Sequence, residues 1–237
     1  MNKSAAYLTK QIFVVIPAHN EEQSIPKVIA EVPIIEKQNI IVVSNNSTDG
    51  TAEVASKAGA TVLYENRKGY GWACLKGIDY ASQEGAEVIV FMDGDYADYP
   101  EQMKAVIKPI LENDMDMVIG SRALGNKQKG SMTVPQVFGN WLATNLLKIF
   151  YGAHFTDLGP FRAIKMDALK KLHMSDKTYG WTIEMQIKAA KYNLKFCEVP
   201  VDYKVRIGTS KVSGTLKGAV LAGIKIIFAV FKYKLTK

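Results

Sequence analysis

Apolar residues in the first half of the chain come in short continuous runs, not in alternation with polar ones. Residues 12–16 (IFVVI), 40–43, 61–64, 88–92 and 117–119 are such runs. Continuous runs of this length predict strands covered on both faces. Helical patterns lie between them. One starts near Ser24, one covers 51–58 behind the capping stretch Ser47-Thr48-Asp49, one covers 70–82, and one opens at Pro100 and ends near Glu112. The second half is less regular: helices over 135–151 and 181–192, a loop entering a strand at 157–162 (DLGPFR), a strand over 196–203, and a last helix from Gly214. Alternating strands and helices predict an α/β fold with a mostly parallel sheet sandwiched by helices. No repeat, low-complexity tract or linker divides it.

In such a sheet ligands bind beyond the carboxyl ends of the strands. The segments there are PAHNEE, SNNSTDG and DGDYAD, all polar. The last holds Asp93 and Asp95 on a glycine turn, with Asp98 close behind. Two carboxylates one residue apart can face one ligand, and hard oxygen donors in that arrangement suit Mg²⁺ or Mn²⁺ shared with substrate phosphates. A solvated acidic turn is the plain alternative. The position after a strongly apolar strand favours the metal, because paired like charges raise each other's pKa unless a cation relieves them.

Charge changes the picture at one end only. The net charge is +7, yet the segment from Tyr203 onward carries Lys204, Arg206, Lys211, Lys217, Lys225, Lys232, Lys234 and Lys237 and no acidic residue. The rest of the chain is therefore slightly acidic, which argues against nucleic-acid binding and for one local anionic partner, a phosphate or a lipid headgroup layer. Cys74 and Cys197 lie in unrelated segments with neither disulfide nor metal spacing, and His154 and His173 show no paired-ligand spacing. No uncharged run approaches the ~20 residues that span a bilayer, and the N-terminus lacks signal-peptide form. The expected location is cytoplasmic, peripheral on the inner face of the cell membrane.

IPAHNEE, VVSNNSTDGT and FMDGD, in that order, resemble the family 2 glycosyltransferases of the GT-A nucleotide-sugar-binding fold. DLGPFRAI, YGWTIEMQIKAA and EVPVDYKVRIGTSKVSG bring the resemblance closest to the dolichyl-phosphate mannose and glucose synthase branch. It covers nearly the whole chain. The resemblance implies that Pro17, His19 and Glu21 contact the nucleotide, with Ser44, Asn45 and the glycine-rich turn at Gly69 and Gly71 beside the donor. It implies that Asp93 and Asp95 hold a Mg²⁺ or Mn²⁺ ion bridging the donor's phosphates, and that Arg122, Arg206, Ser210 and Lys211 receive an acceptor phosphate. Asp95, Asp157 and Glu184 are the candidate catalytic or positioning residues, with structural roles for the last two as the alternative. Two departures stand out. Ser44-Asn45-Asn46 lacks the acidic residue common in that loop, which blurs uridine against guanosine with uridine favoured, and Ala97 replaces a common glutamine.

The implied activity is metal-dependent, inverting transfer of a sugar from a nucleoside diphosphate to a polyprenyl phosphate. A saccharide or glycolipid acceptor is the nearest alternative; a nucleotidyltransferase and a non-catalytic sugar-nucleotide-binding subunit are more distant ones. The expected division is a catalytic domain over 1–212 and an amphipathic helix over 213–237. In that helix Lys217, Lys225 and Lys232 share one face, and Ala219, Val220, Ile224, Ile227, Val230 and Phe231 occupy others. Such a helix suits a membrane interface; docking onto the domain itself or onto a partner, including a second copy of the chain, is the alternative.

Overall fold

The computed structural model describes residues 11–208 and 216–235. The predicted runs form β1 (Ile12–Ala18), β2 (Ile40–Asn45), β3 (Thr61–Glu65), β4 (Val88–Phe91) and β5 (Met117–Ser121). They are followed by β6 (Arg162–Lys165) and β7 (Phe196–Pro200). The helices are α1 (Ile25–Glu31), α2 (Thr51–Lys57), α3 (Tyr70–Gln83), α4 (Met103–Glu112), α5 (Val134–Tyr151), α6 (Met166–Leu172), α7 (Trp181–Lys191) and α8 (Leu216–Leu235). The short α6 has no counterpart in the sequence reading, and β7 stops at Pro200, whose ring removes a ladder donor.

All seven strands join one sheet in the order β3-β2-β1-β4-β6-β5-β7. β1 lies parallel to β2 and β4, and β2 to β3. The expectation of a mostly parallel sheet holds with one exception. β6 inserts between β4 and β5 and runs antiparallel to both. Its residues follow α5 and enter the sheet at the edge where β5 leaves it, Arg162 lying opposite Ile119 and Phe91, so the strand runs back against both neighbours.

The sheet divides the core into two layers by simple alternation. Phe13 and Val15 of β1, with Ile89 and Phe91 of β4, face α3, α5 and α7. Ile12, Val14 and Ile16, with Val88 and Val90, face α1, α2 and α4. Both layers are apolar, so the polar segments are confined to the strand ends.

α5 is delimited by local chemistry. Thr133 and Gln136 form a reciprocal capping box, Pro135 sits in the first turn, and Gly152 closes the helix with φ 66°. α8 docks on α5 and α7 through buried Ala229, Val230 and Tyr233. The Tyr151 hydroxyl donates to the Val230 carbonyl at 2.6 Å, and Lys191 Nζ donates to the Tyr233 carbonyl at 2.8 Å. One flank of the expected amphipathic helix therefore covers the protein's own core. Ile227, Phe228 and Phe231 remain exposed. The side chains of Lys217, Ala219, Val220 and Ile224 lie outside the described residues.

Candidate active site

A cavity of about 900 Å³ opens at the carboxyl ends of β1, β2 and β4. It is lined by nine of the residues singled out in the sequence: Pro17, His19, Glu21, Asn45, Gly69, Asp93, Asp95, Arg122 and Arg206. They come from strand ends and loops far apart in the chain, and the parallel register gathers them at one edge.

The cavity wall at the ends of β1 and β2 is braced by Asn45. Its Nδ2 donates to the carbonyls of Glu65 and Arg67 at 2.9 and 2.8 Å, while its Oδ1 accepts from Gly69 N at 2.9 Å. A carboxylate could not make the two donations. The departure from an acidic residue thus has a local cause: the amide ties β2 to the turn after β3. His19 Nδ1 lies 2.8 Å from the Asn45 carbonyl. Beyond the turn, the Arg67 guanidinium stacks 3.6 Å from the Trp72 ring centroid and pairs with Glu65 at 2.7 Å. Gly69 and Gly71 are required by close approach. A Cβ on either would collide with the backbone carbonyls of Lys177 and Asp176 respectively.

The acidic pair sits at the cavity floor. Asp93 accepts from the Tyr70 hydroxyl at 3.2 Å. Burial, with the charge of Asp95 beside it, pushes Asp93 up to about 7, against the opposing pull of Arg206 and Tyr70. Asp95 Oδ1 accepts from Ala97 N at 3.0 Å, and Oδ2 pairs with Arg206 Nη1 at 2.8 Å. Two adjacent carboxylates, Asp95 buried and Asp93 half-buried with its proton affinity raised, are hard-oxygen donors that fit a divalent cation. Among the described residues, no group of three or more His, Cys, Asp or Glu side chains is arranged to hold a metal. The protein would supply two carboxylates and leave the other positions to substrate oxygens and water. Asp98 does not line the cavity. Its carboxyl is buried with neither oxygen hydrogen-bonded, and burial together with Asp93 and Asp95 drives its pKa well up.

The remaining candidates fall in three places. Asp157 lies behind Arg122, taking its Nε, its Nη2 and its backbone N–H at 2.7–2.8 Å. Burial alone would lower the Arg122 pKa, but Asp157 outweighs it and holds the guanidinium charged. Glu184 is fully buried away from the cavity. It accepts from Ser175 N and Oγ, Asp176 N and the Tyr233 hydroxyl, and pairs with Lys188. It organises the turn that presses on Gly69 and Gly71. Neither carboxylate faces the cavity as a base would. Ser44 lines a separate polar hollow with Asn46, Thr48 and Tyr64. Ser210 and Lys211 lie outside the described residues.

Tyr70, Tyr203 and the wall built by α5 and α8 were not singled out in the sequence. Tyr203 lines the cavity beneath the Arg122 guanidinium, 5.0 Å from its ring centroid. Tyr70 lies between the two glycines of the turn at Gly69 and Gly71, and Tyr203 lies in EVPVDY, and that placement is the signal that marks them. Phe138, Gly139 and Leu142 of α5 and Ile226 and Ile227 of α8 close the far end of the cavity. Outside it, α5 exposes Val134, Val137, Phe138, Trp141 and Ile149. Trp141 and Phe138 pack with ring centroids 5.8 Å apart. No helix among the described residues is long and apolar enough to cross a membrane.

Comparison with known proteins gives a family and a fold. The chain is 33% identical over 216 residues to an uncharacterised glycosyltransferase of Mycobacterium tuberculosis, covering 89% of this chain and 94% of that one. It is 28% identical to the UDP-N-acetylglucosamine–dolichyl-phosphate N-acetylglucosaminyltransferase of Methanococcus voltae, covering 96% and 98%. It is 26% identical to the undecaprenyl-phosphate mannosyltransferase of Micrococcus luteus, covering 90% and 92%. Among solved structures, glucosyl-3-phosphoglycerate synthase of Mycobacterium tuberculosis, in complex with Mn²⁺, UDP-glucose and phosphoglyceric acid, superposes with a TM-score of 0.77 at 22% identity. That match covers 98% of this chain and 82% of that one, and it identifies the GT-A fold. The family model Glycosyl transferase family 2 matches residues 13–173, so the chain belongs to that family and is a glycosyltransferase.

Proposed function

We propose that the protein transfers a sugar, with inversion, from a nucleoside diphosphate to a polyprenyl phosphate at a membrane surface. One observation carries this reading. A single cavity holds an acidic pair, two arginines and an apolar wall, with the polar groups at the strand ends and the apolar ones on α5 and α8. A donor diphosphate suits the first end and a lipid-linked phosphate suits the junction.

Asp93 and Asp95 would hold Mg²⁺ or Mn²⁺, which when bound supplies charge neutralisation for the departing nucleoside diphosphate. His19, Glu21, Asn45 and the Gly69 turn form the nucleotide wall. Arg122 is locked by Asp157, so its charge is fixed in place; Nη1 is uncommitted to that carboxylate and can orient a phosphate oxygen. A phosphate monoester is largely ionised near neutral pH, with a second pKa of about 6, and needs no strong general base. That agrees with the burial of Asp157 and Glu184 away from the cavity. Single displacement by this oxygen inverts the anomeric carbon. Uridine is favoured as the base because the Methanococcus voltae relative is named for a UDP-sugar.

The membrane surface is supported by the exposed apolar stripe of α5 next to Phe228 and Phe231 of α8, bordered by Lys148, Lys232 and Lys234. The catalytic domain over 1–212 and the terminal helix would then meet the bilayer together, through α5 as well as α8.

The test incubates the protein with a panel of nucleotide sugars, Mn²⁺ or Mg²⁺, and an undecaprenyl or dolichyl phosphate in detergent or vesicles. A glycosyl lipid formed with one donor and lost in Asp95→Ala supports the reading. Transfer only to a soluble phosphorylated acid, such as phosphoglycerate, overturns the lipid acceptor.

A further inference from the structure

Two arginines that line the cavity are each paired with a carboxylate, and the two pairs are built differently. Arg122 is bound to Asp157 by three hydrogen bonds, two from its fork and one from its backbone, and the pair is buried. Arg206 reaches Asp95 by one contact, Nη1 to Oδ2 at 2.8 Å, with about a fifth of its side chain still exposed. The turn that carries it is pinned to the same residue, since Ile207 N donates to the Asp95 carbonyl at 3.0 Å. With Oδ1 already accepting from Ala97 N, both carboxylate oxygens of Asp95 are engaged. Asp93, the other carboxylate of the pair, makes its side-chain hydrogen bond among the described residues with the neutral Tyr70 hydroxyl.

A divalent cation shared by Asp93 and Asp95 needs an oxygen of Asp95. The amide of Ala97 is part of the turn itself, so Oδ2 is the oxygen open to exchange. A guanidinium and a metal ion on that oxygen would lie within a few ångströms of each other, so each weakens the other's hold on it. We propose that Arg206 is the exchangeable counter-ion of the cation site. It neutralises Asp95 before the cation arrives and is displaced from Oδ2 when the cation binds. The freed fork then faces the acceptor phosphate. This rests on the cation reading of Asp93 and Asp95 given above.

The consequence is an order of binding. Cation and donor come first, and the acceptor-binding arginine becomes available only afterwards. Linkage makes the effect reciprocal: whatever holds Arg206 on Asp95 weakens cation binding by the same factor. Removing a positive charge from the neighbourhood of a cation site ordinarily favours the cation through space. Here it also vacates a ligand position.

Mn²⁺ binding to the full chain, without nucleotide, is measured from the electron paramagnetic resonance signal of free Mn²⁺. The proteins compared are the unaltered one, Arg206→Gln, Arg206→Lys and Asp95→Asn. Arg206→Gln is expected to bind Mn²⁺ about fivefold to tenfold more tightly, with Arg206→Lys between it and the unaltered protein, because lysine keeps the charge but not the fork. A screening test distinguishes exchange at Oδ2 from through-space repulsion. Raising ionic strength to about 0.5 M should leave most of the Arg206→Gln gain in place, since a contact pair is screened far less than separated charges. Equal or weaker Mn²⁺ affinity in Arg206→Gln, or a gain that vanishes in salt, overturns the proposal. Mn²⁺ binding that survives Asp95→Asn unchanged instead overturns the cation reading beneath it. Circular dichroism confirms that each variant is folded.

Discussion

The proposed donor wall and the proposed acceptor wall of the cavity are made in different ways. On the donor side, Pro17 and Asn45 belong to the last residues of β1 and β2 and Asp93 stands two residues beyond β4, so their backbones are set by a parallel register. On the acceptor side, Arg122 stands after β5, Tyr203 and Arg206 on the chain beyond β7, and the apolar residues on α5 and α8. The first wall is positioned by the sheet. The second is positioned by ion pairs and helix docking across long sequence separations. A rigid wall suits a ligand whose diphosphate and base must be oriented; a wall held by exchangeable contacts suits one that enters later.

The largest test of that contrast is Asp95→Ala. Losing a carboxylate from the proposed cation site should cut glycosyl transfer by about 10³-fold, read as product formed per unit time. Retained activity would show that the donor wall works without the acidic pair. Next is Asp157→Ala, which leaves the Arg122 guanidinium buried without its partner. Breaking such a pair costs about 3–5 kcal/mol, to be read from urea unfolding. A small loss would mean that the acceptor wall is looser than the three hydrogen bonds imply.

Gly71→Ala probes the seam between the walls, where the turn organised by Glu184 presses on the donor turn. The added Cβ meets the Asp176 carbonyl, so a cost of about 1–3 kcal/mol in stability is expected, with a raised donor KM. Trp141→Glu addresses the outer face of the acceptor wall alone. Trp141 is exposed and does not line the cavity. Vesicle partitioning should fall about tenfold while transfer to a short-chain, water-soluble acceptor is kept. Equal loss of both would place Trp141 in the fold or the site instead.

The smallest effect concerns Glu65, whose hydrogen bonds from Arg67 hold its folded pKa at about 2, below the ordinary 4.5. A depressed carboxylate stabilises the fold above about pH 4.5, and that contribution is lost as pH falls toward 2. Because Arg67 is largely exposed, solvent screening limits it to less than about 1 kcal/mol. The Tm difference between the unaltered protein and Glu65→Gln should therefore be greatest above pH 5 and narrow by pH 3.

The donor wall was legible because its information is local. A run such as IFVVI followed by PAHNEE announces both a buried strand and the polar loop at its end, and the sheet needs nothing more to bring those loops together. The acidic pair was legible for the same reason. Asn45 was visible as a departure, but its purpose was not, since the carbonyls of Glu65 and Arg67 become its partners only when β2 and β3 pair. Glu184 and Asp157 looked like candidates for chemistry because a carboxylate's burial is invisible in a sequence. Apart from Lys188, the partners named for them lie eight or more residues away, and only folding commits them.

The order of polar and apolar residues by itself determined the first five strands, the double-sided burial of β1, β2, β4 and β5, though not of the half-exposed β3, and the edge at which the polar loops gather. These follow from side-chain periodicity and local turn chemistry. Tertiary structure alone decided that β6 enters antiparallel between β4 and β5, and that α8 spends one flank on the core. It also decided that α5 keeps an apolar face in solvent and that Arg206 rests on Asp95. Each of these depends on which surfaces remain after the other elements have packed, and that competition is settled between residues tens of positions apart, more than a hundred for Arg206 and Asp95.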